Sequence, residues 1–160
     1  MKVYLDLDGV IANFEKRFIE LFQESPGEFR DRKEWSTNWN TFIEGKHFET
    51  LDWWPGGQEL LDYLIRNNVD VEILSSSGGN KFHDKVVEQK LVWLEKNHIS
   101  YKANVVAGRK KKAEFATPDS ILIDDTDDVI KAFREAGGIG IHHKDIGNTL
   151  MLLDIYLQKT

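Results

Sequence analysis

The chain has 160 residues, no cysteine and a formal net charge of −6, so it has the length of one domain that buries its own core. The lack of cysteine excludes disulfides, thiolate metal sites and a cysteine nucleophile, and the negative charge argues against a general nucleic-acid binder. A membrane span needs about 20 apolar residues, and no apolar run in the sequence is that long. The charged N-terminus is unlike a signal peptide. We therefore expect a cytoplasmic protein.

The apolar pattern predicts strands that alternate with helices. The first strand ends near Asp6, and further strands are predicted at 69–74, 104–107, 121–123 and 138–142. The predicted helices cover 13–24, 55–66, 81–97, 112–116, 127–136 and 146–157. This alternation is typical of right-handed βαβ units. We therefore predict an α/β fold, a three-layer sandwich with a mainly parallel, Rossmann-like sheet.

The segment between the first strand and the helix at Pro55 has a different character. Residues 28–54 show weak periodicity and many aromatic side chains, which indicates short helices joined by loops. We expect a small helical cap at 14–54, inserted into a core formed by 1–13 and 55–160.

Polar residues follow or precede the predicted strands at four places: Asp6 and Asp8, the Ser-Gly loop 75–79, the lysines at 110–112, and Asp124–Asp125. Each place alone is ordinary for a turn or a helix start. The carboxyl ends of parallel strands, however, meet at one edge of a sheet. Several carboxylates suit Mg²⁺, and loop N–H groups with a lysine bind phosphate oxygens. The combination predicts a site for phosphoryl transfer.

These four segments, in this order, resemble the signatures of the haloacid dehalogenase-like hydrolase superfamily. The quoted matches are Asp6-Leu7-Asp8-Gly9-Val10, Ile73-Leu74-Ser75, a lysine before the last acidic strand, and Leu122-Ile123-Asp124-Asp125. Within the superfamily the chain is similar to the 5'(3')-deoxyribonucleotidase group and to related small phage and bacterial phosphatases. The helical insertion, Pro55-Gly56-Gly57 and the segment 137–141 carry that closer similarity.

The resemblance implies a role for each matching residue. Asp6 would attack phosphorus and become an aspartyl-phosphate, and Asp8 would act as general acid and then as general base. Ser75 would bind the phosphoryl group and Lys112 would neutralise its charge, although Lys110 and Lys111 are alternatives. Mg²⁺ would be held by a set made up of Asp6, the Asp8 carbonyl, Asp124 and Asp125.

The cap and the Ser-Gly loop are expected to bind the substrate. Ser76 and Ser77 would contact the phosphate, and four aromatic residues could stack on a nucleobase: Phe14, Phe48, Trp53 and Trp54. The same aromatics could instead form the core of a small subdomain. We therefore expect a Mg²⁺-dependent phosphatase whose partner is a small phosphorylated molecule, a nucleoside or deoxynucleoside monophosphate, and not a membrane.

Three other functions share parts of this pattern. The same chemistry could act on a sugar phosphate or on a nucleic-acid 3'-phosphate, and the basic run 109–112 favours the latter. A phosphate-binding module without activity is disfavoured because all the reactive side chains are present. A signalling receiver domain is disfavoured because its acidic pair lies on the first strand, whereas here the pair comes late in the chain.

Overall fold

The computed structural model describes residues 1–29 and 32–158. Its strands form one parallel sheet in the order β3-β2-β1-β4-β5. The strands are β1 Lys2–Leu5, β2 Asp70–Ser76, β3 Ala103–Val106, β4 Ser120–Asp124 and β5 Ile139–His142. Every residue of β4 is buried, as expected for a strand covered on both faces. The predicted α/β fold with a parallel sheet is confirmed.

Helices connect the strands. They are α1 Phe14–Phe22, α2 Pro26–Phe29, α3 Glu34–Glu44, α4 Gly57–Arg66, α5 His83–Lys96, α6 Asp127–Glu135 and α7 Ile146–Leu157. Two short 3₁₀ helices, His47–Thr50 and Arg109–Phe115, complete the set. The second begins at Arg109, earlier than the short helix expected at 112–116. No helix in the described ranges is long and apolar enough to pass through a membrane.

The central position of β1 determines where the acidic residues lie. β1 pairs with β2 on one side and with β4 on the other, and Leu5 is in register with both Ile73 and Ile123. The three strands therefore reach the same edge together. The backbone N–H of Asp6 continues the pairing by donating to the Ile123 carbonyl over 3.1 Å, which places Asp6 next to the end of β4.

A tight turn follows β1. The Leu7 carbonyl accepts hydrogen bonds from the N–H groups of Val10, Ile11 and Ala12. Gly9 adopts a φ of +80°, a left-handed conformation that strains other residues. A Cβ on Gly9 would also lie 2.0 Å from Oδ2 of Asp125. Glycine is thus required here both for the turn and for the approach of Asp125.

Segment 14–54 packs around aromatic side chains. Phe14 and Phe48 stack with ring centroids 5.6 Å apart, and Phe42 meets both of them edge to face. These rings belong to the same hydrophobic cluster as Val3 and Leu5 of β1 and Val71 and Ile73 of β2. The division into core and cap stays a prediction, and residues 30–31 and 159–160 of its ranges lie outside the described residues.

Helix α5 connects this cap segment to the sheet. The Trp93 indole N–H donates to the Leu51 carbonyl over 2.8 Å, and the Gln89 amide donates to the Ile43 carbonyl over 2.8 Å. Polar Gln89 and Lys90 are buried on this helix, whereas the apolar Leu91 is exposed. The backbone acceptors in the cap favour polar side chains on the buried face.

We predict that Trp93→Ala lowers the free energy of unfolding by about 3–5 kcal/mol, since it leaves a cavity and removes the donor to Leu51. Urea unfolding followed by circular dichroism measures the change. Leu91→Ala, on the exposed face of the same helix, should cost less than about 1 kcal/mol. Equal losses in the two variants would contradict this account of α5.

Candidate active site

Lys112 joins two of the predicted aspartates. Its Nζ lies 3.1 Å from Oδ1 of Asp6 and 2.7 Å from Oδ2 of Asp124. The Lys112 side chain is 4% exposed, the Asp6 side chain 7% and that of Asp124 1%. An ion triplet this well shielded from water interacts strongly. The neighbouring Lys110 and Lys111 are exposed, so among the three candidate lysines only Lys112 is placed inside the acidic cluster.

The surroundings of these groups shift their protonation. Burial, followed by repulsion from Asp124, raises the pKa of Asp6 well above its ordinary value. Burial alone would lower the pKa of Lys112, but attraction by Asp6 and Asp124 outweighs it and raises that pKa. Lys112 is therefore a permanent cation, and the carboxylates around it hold their negative charge only at a cost.

Asp125 lies at the same edge but closer to solvent. The residue is exposed, but partial desolvation by the surrounding protein, followed by repulsion from Asp124, raises the pKa of Asp125 to about 7. Oxygens of Asp6, Asp124 and Asp125 all lie within 4.8 Å of one another. Such a group of carboxylates repels itself unless a cation is shared between them.

A second lysine contacts the fourth aspartate. Lys90, from α5, places its Nζ 3.1 Å from Oδ2 of Asp8. The four carboxylates carry a formal charge of −4 and the two lysines +2, which leaves −2 at the cluster. The remaining charge and the oxygen donor set fit one Mg²⁺ ion. Asp6, Asp124 and Asp125 would supply its side-chain ligands.

The end of β2 differs from the sequence-based expectation. Ser75 is fully buried and accepts a hydrogen bond of 2.5 Å from Lys90 Nζ. The next residue, Ser76, lines the cavity beside Asp6 and Asp8. Ser77 is also buried, with its hydroxyl 2.7 Å from Nδ1 of His83. Of the three serines, Ser76 is thus the one that faces the cavity, and Ser75 and Ser77 support the loop.

The acidic cluster lies in a cavity of about 1150 Å³. One wall is aromatic: Phe14, Trp35, Trp39, Phe48 and Trp54. Another wall carries basic side chains: Lys81, Arg109, Lys110, Lys111 and Lys112. Trp53 is not part of the lining. Its indole packs on Trp93 and donates to Asn97, so Trp53 lies outside the cavity.

Two residues in this region escaped the sequence analysis. Lys90 lies four residues after Val86 in α5, and both residues are buried. A lysine on the apolar face of a predicted helix is the sequence feature that could have indicated a buried, functional charge. Trp39 was seen only as one of many cap aromatics. Its ring stacks on Trp35 at a centroid distance of 5.5 Å, and the ring lies close to Gly78 in the Ser-Gly loop.

Comparison with known proteins agrees with this geometry. Residues 1–148 match the model of the family described as "5' nucleotidase, deoxy (Pyrimidine), cytosolic type C protein". The chain belongs to this family. It is therefore a haloacid dehalogenase-like hydrolase and an enzyme of the phosphatase class. A comparison with curated proteins finds no match.

Solved structures support the fold of this 5'-nucleotidase family member. A hydrolase from Streptococcus pneumoniae TIGR4 is 17% identical, with a TM-score of 0.54 over 96% of this chain and 97% of its own. A hydrolase from Pseudomonas syringae is 16% identical, with a TM-score of 0.55 over 94% and 90% of the two chains. Both likenesses concern the fold.

We predict that Asp125→Asn raises the melting temperature of the metal-free protein by about 2 °C at pH 8. The pKa of Asp125 rises from 3.8 to about 7 on folding, so the folded state binds this proton more tightly than the unfolded chain. The resulting stabilisation is complete below pH 4 and is lost as the pH rises through 7. Asparagine carries no charge at any pH, so the variant avoids that loss of stability. The difference in melting temperature between the variant and the wild type should therefore shrink toward pH 5.

Thermal unfolding in EDTA between pH 5 and pH 8 measures this difference. Mg²⁺ should reverse the order of the two proteins at pH 8, because only the wild type offers the third carboxylate to the ion. Asp119→Asn removes an exposed carboxylate before β4 and serves as the control. A rise in melting temperature that does not depend on pH, or the same rise in the control variant, would show that the charge of Asp125 does not destabilise the folded protein.

Proposed function

We propose that the enzyme hydrolyses nucleoside or deoxynucleoside monophosphates through an aspartyl-phosphate formed on Asp6, in the presence of Mg²⁺. The observation that carries the proposal is the acidic cluster at the floor of the aromatic cavity, where Lys112 bridges Asp6 and Asp124. Membership of the 5'-nucleotidase family supports a nucleotide as the substrate.

In the first step, a carboxylate oxygen of Asp6 forms a bond to phosphorus. The ester P–O bond breaks, its electron pair goes to the leaving oxygen, and Asp8 gives that oxygen a proton. Asp6 is held in place because its Oδ1 accepts hydrogen bonds from the Leu7 N–H, over 2.8 Å, and from Lys112. This preorganisation avoids rearrangement of the nucleophile during the reaction.

In the second step, water attacks the aspartyl-phosphate. Asp8 takes a proton from the water, the bond between phosphorus and Asp6 breaks, and the carboxylate of Asp6 is regenerated as phosphate leaves. When bound, Mg²⁺ neutralises charge that develops on the phosphoryl oxygens. Asp6 and Asp124, helped by Asp125 and the Asp8 carbonyl, are the residues we assign to holding the ion.

The phosphoryl group is assigned to Ser76 and Lys112. Ser76 lines the cavity, whereas Ser75, the residue suggested by the resemblance, is buried against Lys90. The Ser76 hydroxyl also accepts a hydrogen bond of 3.1 Å from the Gly78 N–H, which orders the loop. Ser76 therefore replaces Ser75 in the proposal.

The aromatic wall is assigned to the nucleobase. Trp39 and Trp54 are half-buried and line the cavity, so each has ring surface left for a ligand. Phe14 and Phe48 are buried among other rings, and their main contribution is to support this wall. Stacking of one base on such a ring contributes about 1–3 kcal/mol.

A second substrate class also has structural support. Lys81, Lys110 and Lys111 line the cavity and are exposed, and positive charge at its mouth favours a ligand with more than one phosphate. A phosphate at the 3' end of a nucleic acid would meet this condition. The acidic net charge of −6 opposes binding of long nucleic acids, so the monophosphate remains the first choice.

We predict that the protein releases phosphate from nucleoside monophosphates only with a divalent cation, and that Asp6→Asn lowers kcat by about 10³-fold or more. The assay compares nucleoside 5'- and 3'-monophosphates, a sugar phosphate and a 3'-phosphorylated oligonucleotide, with Mg²⁺ and with EDTA. A lack of preference for nucleoside monophosphates would contradict the assigned substrate, and metal-independent activity would contradict the assigned chemistry.

The same assay separates the serines. Ser76→Ala should lower kcat/KM by about 10²-fold, since it removes a donor to the phosphoryl group. Ser75→Ala should have the smaller effect because that hydroxyl contacts Lys90 and not the cavity. The reverse order would restore Ser75 as the phosphate-binding residue. Asp119→Asn serves as the control for general effects of substitution.

A further inference from the structure

Lys90 is a buried cation that the proposed reaction does not use. Its residue exposure is 2%. Its Nζ lies 3.1 Å from Oδ2 of Asp8, 2.5 Å from Oγ of Ser75 and 2.9 Å from the carbonyl oxygen of Ser76. An ammonium group has three N–H donors, and here three acceptors receive them. The position of the charge is therefore fixed.

Burying a lysine is costly unless its charge has a partner. The Phe48 ring, 5.1 Å from Nζ, covers the ammonium group from the cap side, and the carboxyl group of Asp8 is its acidic partner. An apolar residue could fill the same space without that cost. The ammonium group of Lys90 is thus placed to bind Asp8 and the end of β2.

The two oxygens of Asp8 have different surroundings. Oδ2 is held by Lys90, whereas Oδ1 is buried and has no hydrogen-bond partner among the described residues. Asp8 also lines the cavity above the acidic cluster. The Lys90 ammonium group is therefore the donor that fixes the orientation of the Asp8 carboxyl group at the cavity.

We propose that Lys90 is a positioning residue for Asp8: by holding Oδ2, it keeps the carboxyl group at the cavity, where the leaving oxygen of the substrate would lie. This inference rests on the proposed function, in which Asp8 is the general acid and base. As the ester P–O bond breaks, the proton of the Asp8 carboxyl group moves to the leaving oxygen, which takes the electron pair of that bond. The Asp8 carboxylate that remains then pairs with the Lys90 ammonium group.

The experiment compares two leaving groups in the first step. Single-turnover phosphorylation of the protein is measured by rapid quench with a nucleoside 5'-monophosphate and with p-nitrophenyl phosphate, in Mg²⁺. The alcohol needs a proton to leave, whereas nitrophenolate does not. Lys90→Met should slow phosphorylation by about 10²-fold with the nucleotide and by less than about fivefold with the aryl ester, because general acid catalysis contributes about that factor.

Gln89→Met is the matched control. Gln89 is buried on the same helix and donates to the cap backbone at Ile43. Its replacement should lower the melting temperature and leave the ratio of the two rates unchanged. If Lys90→Met does not fold, Lys90→Arg carries the comparison, because arginine keeps the charge and displaces the donors. We then expect a smaller loss with the same selectivity for the nucleotide.

Equal losses on both substrates would show that Lys90 only supports the fold, and no loss would show that it has no role, so either result overturns the inference. Failure of the proposed function has a different signature. In that case the wild-type protein itself would form no phosphoprotein with either substrate.

Discussion

Electrostatic repulsion among carboxylates at one sheet edge is the constraint on which this site depends. Asp6, Asp124 and Asp125 bring oxygens within 4.8 Å of one another, and burial makes their charges costly. Lys112 offsets part of that charge from within the cluster. In the proposed function, a divalent cation would neutralise the remaining negative charge and would bring a phosphate group to the cluster.

The fold brings these charges together by topology. The acidic segments lie more than 100 residues apart in the chain, yet β1 and β4 are neighbours in the sheet and end in register. Helix α5 contacts both the cap and Asp8, the acidic residue that follows β1. Gln89 and Trp93 bind the cap, and Lys90, between them, binds Asp8. One helix face thus fixes both the wall of the cavity and the residue we assign to proton transfer.

The sequence was sufficient for the sheet and the acidic cluster, because buried parallel strands followed by aspartates are a strong local pattern. It did not distinguish Ser75 from Ser76 as the residue at the cavity, because neighbouring strand residues lie on opposite faces and the contact of Ser75 with Lys90 depends on tertiary packing. It could not assign Lys90, Trp39 or Trp53, because their partners are distant in the chain and are defined only by tertiary packing.

The position of the metal ion tests the central claim most directly. Crystals soaked with Mn²⁺ in place of Mg²⁺ locate the ion by its anomalous signal. We predict one peak between Asp6 and Asp124. The carboxylate oxygens should lie about 2.1 Å from the ion, which is the distance that Mg²⁺ prefers. A peak elsewhere on the surface, or none at this edge while Asp6 and Asp124 stay together, would contradict the account.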